Sequence, residues 1–141
     1  MAEAKGEPFS VRFTKRTDAF MSAEAKRQKR SKSSLVEELA EEAAKVRRYP
    51  GIAFRGEGNF REPWIIGTGL DVWELCEILE HYDDSIERVA DDFDGVDERD
   101  CRLALAYYRD YPEEIADAIA ENNRTVEEWL VLYPFVEFVG R

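Results

Sequence analysis

Every lysine of this 141-residue chain lies within its first 48 positions, and the remainder of the chain is acidic. Residues 1–50 carry 12 Lys+Arg against 8 Asp+Glu, a formal +4. Residues 51–141 carry 8 Arg and no Lys against 23 Asp+Glu, a formal −15, and the two parts make up the net −11. The break falls at Tyr49-Pro50-Gly51, where proline and glycine also end a helical pattern. Charge and punctuation together divide the chain into a small basic head and a larger acidic body with different partners. The overall pI of about 4.6 conceals the head. The field that a polyanion meets is local, screened over roughly 8–10 Å.

A hydrophobic fraction of 44% and an aromatic fraction of 12% are globular values. No apolar run approaches the roughly 20 residues that cross a bilayer, and MAEAKGEPFS lacks the apolar stretch of a signal peptide. A cytoplasmic, reducing setting without membrane contact is expected. Cys76 and Cys101 read as core residues, and with His81 alone they fall short of the ligand set zinc needs. Gly67-Thr68-Gly69 has neither Walker spacing nor a following lysine, and reads as tight turns. Asp91, Asp92, Asp94 and Asp97 miss the spacing of a calcium loop and read as helix end, turn and cap. Nothing marks one acid as proton donor and another as base, and no nucleophile is arranged with His81. No cofactor, no metal and no catalysis are expected.

In the head, residues 1–8 read as a flexible arm. Phe9-Ser10-Val11-Arg12-Phe13-Thr14 alternates with period two, as a strand does. Thr17 is placed to cap a helix from Asp18 to about Lys29, and Lys29-Arg30-Ser31-Lys32-Ser33 forms a polar turn with a capping serine. A second helix follows, with Leu35, Val36, Leu39, Ala40, Ala43 and Val46 on one side. One strand and two helices over some 40 residues cannot bury a useful core, and a lone strand leaves an open edge. Two copies pairing their strands antiparallel solve both problems. Val11 and Phe13 then turn inward, and Ser10, Arg12 and Thr14 face out on a ribbon that fits a DNA major groove. The start of the second helix offers amides for phosphate, beside Arg30, Ser31 and Lys32.

Over residues 9–47 the pattern SVRFT, helix, KRSKSSLVEEL resembles a ribbon-helix-helix DNA-binding domain of the Arc/MetJ/CopG type. The resemblance implies that Ser10, Arg12 and Thr14 read bases in operator DNA, and that Arg30, Ser31, Lys32 and Ser33 clamp phosphate. Lys29 stands where that family often has glycine.

In the body, residues 50–71 read as an ordered loop with a short extended piece at Trp64-Ile65-Ile66. Three helical stretches follow. The first runs from Val72 to about His81, and the second, to Phe93, starts with a capping box at Asp84-Ser85-Ile86-Glu87. The third is capped by Asp97 and kinked or restarted at Pro112. Pro50-Gly51-Ile52, Gly67-Thr68 and Ala106-Tyr107-Tyr108 with Pro112-Glu113-Glu114-Ile115 resemble the helix-turn-helix-like family called domain of unknown function 433, over about residues 49–122. That family is common in antitoxin proteins. At −15, the body itself would be repelled by phosphate.

From Thr125 the chain is apolar and would be aggregation-prone if bare, so it is buried in the body's own fold, across a dimer, or in another protein. The antitoxin resemblance implies that Trp129, Tyr133 and Phe135 anchor on a PIN-domain ribonuclease toxin, aromatics being favoured hot spots. By the same resemblance Arg141 or Arg124 would pair with the toxin's carboxylates.

The expected fold is mostly α: a ribbon-helix-helix segment over 9–48, a small three-helix, helix-turn-helix-like domain over 49–124, and an apolar tail over 125–141. The expected function is that of a type II antitoxin of the VapB kind, binding operator DNA as a homodimer and neutralising its ribonuclease. The alternatives are a stand-alone dimeric transcriptional regulator and an interaction adaptor that binds no nucleic acid.

Overall fold

Helix α1 (Lys15–Arg27) starts where Thr14, with extended backbone, turns its Oγ1 to the Thr17 amide at 3.3 Å. The cap is therefore Thr14 and not Thr17, which lies in the first turn, and the helix begins three residues earlier than the Asp18 expected. These are features of a computed structural model that describes residues 3–58 and 60–137. The chain divides into two units, residues 1–44 and 45–141.

In the first unit, α1 ends on Lys29 in the left-handed region (φ 55). The Arg30 amide reaches back to the Ala25 carbonyl at 3.0 Å and the Lys29 amide to the Lys26 carbonyl at 3.1 Å. This is the Schellman arrangement, which explains why glycine suits the position. Ser31 then caps α2 (Lys32–Arg48), its Oγ accepting from the Ser34 amide at 3.1 Å. The core of the unit is Met21, Ala25 and Leu35, with Val36 packed against them. Residues 9–13 form no strand in the single chain and lie exposed, Phe9 at 85% and Phe13 at 44%. A strand needs a neighbour for its ladder, and a single copy supplies none.

The second unit opens with a hairpin of β1 (Ile52–Arg55) and β2 (Glu62–Ile65), antiparallel, Ile52 opposite Ile65 and Arg55 opposite Glu62. The extended piece expected at 64–66 is thus the end of β2, and β1 stands within the stretch read as loop. Pro63 is tolerated because both strands of a two-stranded ribbon are edges. Gly56 makes the connection possible: at φ 105, a Cβ there would sit 2.0 Å from the Phe60 carbonyl oxygen.

Helix α3 (Val72–His81) follows, with the Glu74 carboxylate accepting the Asp71 amide at 3.0 Å. Helix α4 (Ile86–Asp92) is capped by Ser85, not by Asp84. Asp83 and Asp84 both adopt left-handed backbone (φ 53 and 59), and so turn the chain instead of opening the helix. Asp97 caps α5 (Glu98–Asp110) as expected. Pro112 is the first residue of α6 (Pro112–Asn122), where the missing N–H costs no bond. The third helical stretch is therefore two helices, and four helices, not three, enclose the core. That core joins Ile52 and Ile65 of the hairpin to Leu75, Leu79, Val89, Cys101, Ala104, Tyr107 and Ile115. A last short helix, α7 (Val126–Leu132), buries none of its residues. The chain is mostly helical, and no described helix is long and apolar enough to cross a membrane.

Candidate nucleic-acid and partner interfaces

Residues 9–32 carry eight Lys+Arg against two Asp+Glu, whereas Glu37, Glu38, Glu41 and Glu42 make the outer run of α2 acidic. The positive charge of the head is thus concentrated at its N-terminal end and in the α1–α2 turn. Ser10 and Arg12 are exposed on the irregular segment. Thr14 is exposed too, but its hydroxyl is spent on the α1 cap and on the Thr17 hydroxyl at 3.1 Å.

The residues expected to clamp phosphate come together at the turn, each with a task inside the chain. Arg30 pairs with Glu38 and donates to the Ser34 hydroxyl at 2.8 Å and the Ser34 carbonyl at 3.0 Å. Lys32 pairs with Asp18, and Ser31 is the cap. Ser33 lies exposed in the first turn of α2. Among the described residues the amides of Lys32 and Ser33 find no acceptor. Two orphan donors at a helix N-terminus, beside an exposed lysine, can receive an anion.

A second constellation went unread in the sequence. The last turn of α2 is held within the body by aromatic and charged side chains of α5 and α6. Lys45 lies 4.3 Å from the Tyr111 ring centroid and 3.2 Å from the Glu114 carboxylate. Glu114 also accepts from the buried Tyr107 hydroxyl at 2.9 Å. Tyr49 donates to Asp110, which Arg48 and Arg109 also approach. Tyr49 and Tyr107 meet edge to face, 5.2 Å between centroids. Burial, followed by the negative charge of Glu114, pushes the Tyr107 hydroxyl far above its ordinary range. Hydrogen bonds from Arg109 and then Tyr49 hold Asp110 below the usual carboxylate range. The signal was present: Tyr107, Tyr111 and Glu114 recur at i, i+4 and i+7, one helical face continued across the proline break.

The two cysteines of the body are buried and free. Burial pushes the Cys76 thiol up to about 12, and its Sγ–H points to the Ala104 carbonyl at 3.6 Å. Cys101 is raised for the same reason. These are inert core thiols. Among the described residues no group of His, Cys, Asp and Glu could hold a metal ion.

The described residues of the C-terminal segment, 125–137, take no part in the body's buried core. Trp129 is half-buried and stacks on Tyr133 at 5.9 Å; Phe135 follows at 6.3 Å from Tyr133 and is 82% exposed. Val131 is 83% exposed. Arg124, an expected partner for a toxin carboxylate, is paired with Glu121 at 2.6 Å and lies over Trp129. Arg141 lies outside the described residues, as do Phe138 and Val139.

No curated protein and no solved structure matches the chain. Residues 57–108, from the hairpin loop to near the end of α5, match the family described as "Protein of unknown function (DUF433)", so the acidic body is similar to that family over this stretch.

Proposed function

We propose that the chain is a type II antitoxin of the VapB kind, with a ribbon-helix-helix head that binds operator DNA as a homodimer and a tail that neutralises a PIN-type ribonuclease. The observation that carries the reading is the unfinished core of the head. Among its described residues the head buries only Met21, Ala25 and Leu35, while Phe9, Val11, Phe13, Phe20 and Leu39 remain exposed on the same unit. Antiparallel pairing of residues 9–14 in two copies covers Val11 and Phe13 and turns Ser10 and Arg12 outward. Thr14 then serves as the α1 cap at the end of the ribbon, and base reading rests on Ser10 and Arg12. On DNA, Lys32 exchanges Asp18 for a phosphate that the free amides of Lys32 and Ser33 also reach.

The exposed row from Leu130 to Phe135 supports the tail as a docking segment, because such a row is otherwise an aggregation hazard. Similarity of residues 57–108 to an uncharacterised family is compatible with the reading and adds no chemistry to it.

The test is fluorescence anisotropy of the protein on duplex DNA from its own promoter at several salt concentrations, alongside Arg12→Ala. Expected is sequence-specific binding whose log K falls with log salt by about 0.9 per phosphate contacted, with specificity lost in the variant. Binding no tighter than to random duplex rejects the operator function and favours an adaptor.

A further inference from the structure

Two bare helix faces of this protein carry opposite charge. On the head, Arg12, Lys15, Arg16, Lys26 and Lys29 have no acidic partner among the described residues, whereas Arg27, Arg30 and Lys32 are paired with Glu24, Glu38 and Asp18. Phe20 of α1 stands among them at 59% exposure, outside the segment that pairs in the proposed dimer. On the tail, Glu127, Glu128 and Glu137 have no basic partner among the described residues, and residues 125–137 hold no Lys or Arg. Arg124, just before them, is already taken by Glu121. Val131 stands beside these acids at 83% exposure.

The two faces also share one spacing. On α1, Arg16 lies one helical turn before Phe20; on α7, Glu127 lies one turn before Val131. Two such helices laid side by side in the same direction set Phe20 on Val131 and Arg16 opposite Glu127, with Lys15 and Glu128 as neighbours. Unpaired charges of opposite sign attract, and the apolar pair excludes water beside them. Each face lacks cover in the single chain, and a second copy supplies to each the apolar contact and the counter-charge that it lacks.

We propose that α7 of one copy lies along α1 of a second copy, Val131 on Phe20 and Glu127 and Glu128 against Arg16 and Lys15, and that the second copy returns its own tail. The returned contact is isologous and closes at two copies. It rests on the operator reading in one respect. Arg12, Lys15 and Arg16 are cations that a DNA backbone would also engage, so tail and duplex exclude each other. The acidic tail thus masks the basic head until something draws it off.

The test uses the distribution of lysine. Every lysine lies in the first 48 residues, so a bridge from a lysine to Glu127 or Glu128 joins the tail to that part of a chain and to nothing else. Isotopically heavy and light full-length chains are mixed and treated with a carbodiimide, which condenses a carboxylate with an amine. Expected is an amide between Lys15 of a chain of one mass and Glu127 or Glu128 of a chain of the other. It falls to background in Phe20→Gln and in Val131→Gln, and again when random duplex DNA is added to saturation. Both replaced side chains are exposed and glutamine favours a helix, so the fold tolerates the changes. Four results overturn the proposal: no such bridge; bridges only within chains of one mass; a mixed bridge that survives both glutamine changes; or one that saturating duplex leaves intact. Anisotropy on promoter DNA reads the operator function separately. A mixed bridge without promoter specificity rejects that function alone, and promoter specificity without a bridge rejects the tail contact alone.

Discussion

Among the described residues three non-glycine positions hold left-handed backbone, and each marks a place where the chain turns against its side chain's preference. Lys29 is the plainest. Its φ of 55 closes the α1 Schellman turn, a task glycine performs without Cβ strain. Lys29→Gly is expected to stabilise the head by about 1 kcal/mol, read as a higher urea midpoint. Gly56→Ala is expected to do the reverse in the body, because the added carbon meets the Phe60 carbonyl oxygen and not a flexible side chain. Raised pKa values set the alkaline limit. The Cys76 thiol, pushed up to about 12, and the Tyr107 hydroxyl, raised in the same direction, stay protonated in the fold while the unfolded chain loses those protons from about pH 9 upward. Their contribution is full below pH 9 and is lost as pH rises toward 12. The urea midpoint is therefore expected to fall across that window, and less steeply in Cys76→Ala. At this scale the sequence was legible where one residue type has one local use, as at Asp97 and Ser31. It misled where the cap lay outside the stretch read as helix start, at Thr14 instead of Thr17, and where two adjacent residues could each cap, at Ser85 instead of Asp84; both were decided by backbone angle, which composition does not carry.

Among the elements, α3 runs from Val72 to His81 as its spacing predicts, and Pro112 restarts a helix as proline at a first turn does. Strand β1 escaped notice because Ile52-Ala53-Phe54-Arg55 is too short to show a period and sits among glycine and proline. The clamp on the last turn of α2 escaped for a different reason: Lys45, Tyr49 and Glu114 are far apart in sequence and meet only when α5 and α6 fold beside them. Its energetics separate by substitution. Tyr107→Phe removes one hydrogen bond and is expected to cost about 1 kcal/mol. Glu114→Ala strands both the Tyr107 hydroxyl and the half-buried Lys45 ammonium, and is expected to cost about 3 kcal/mol. Equal losses in urea titration would mean that Lys45 does not depend on Glu114. In the head, Ser31→Ala removes the α2 cap, and a loss of about 1 kcal/mol is expected.

At the scale of the whole molecule, the two units differ in how much each can bury. A core of Met21, Ala25 and Leu35 is marginal for 44 residues, while the body encloses a continuous cluster from Ile52 to Ile115. Calorimetry is expected to show two transitions. The lower one belongs to the head and rises with protein concentration and with operator DNA, because pairing and ligand act on the folded form alone. A single concentration-independent transition would count against a head completed by a second copy. The division into a basic head and an acidic body, the helical character of both, and the absence of a membrane-length apolar run were all determined by the sequence itself, through charge counts, periodicity and punctuation that are local along the chain. Which threonine caps α1, that a hairpin precedes α3, that Arg30 and Lys32 spend their charges on Glu38 and Asp18, and that α7 stays outside the core were decided only by tertiary structure. Each of these depends on groups distant in sequence competing for the same hydrogen bond, ion pair or apolar surface, and that competition is settled only in space.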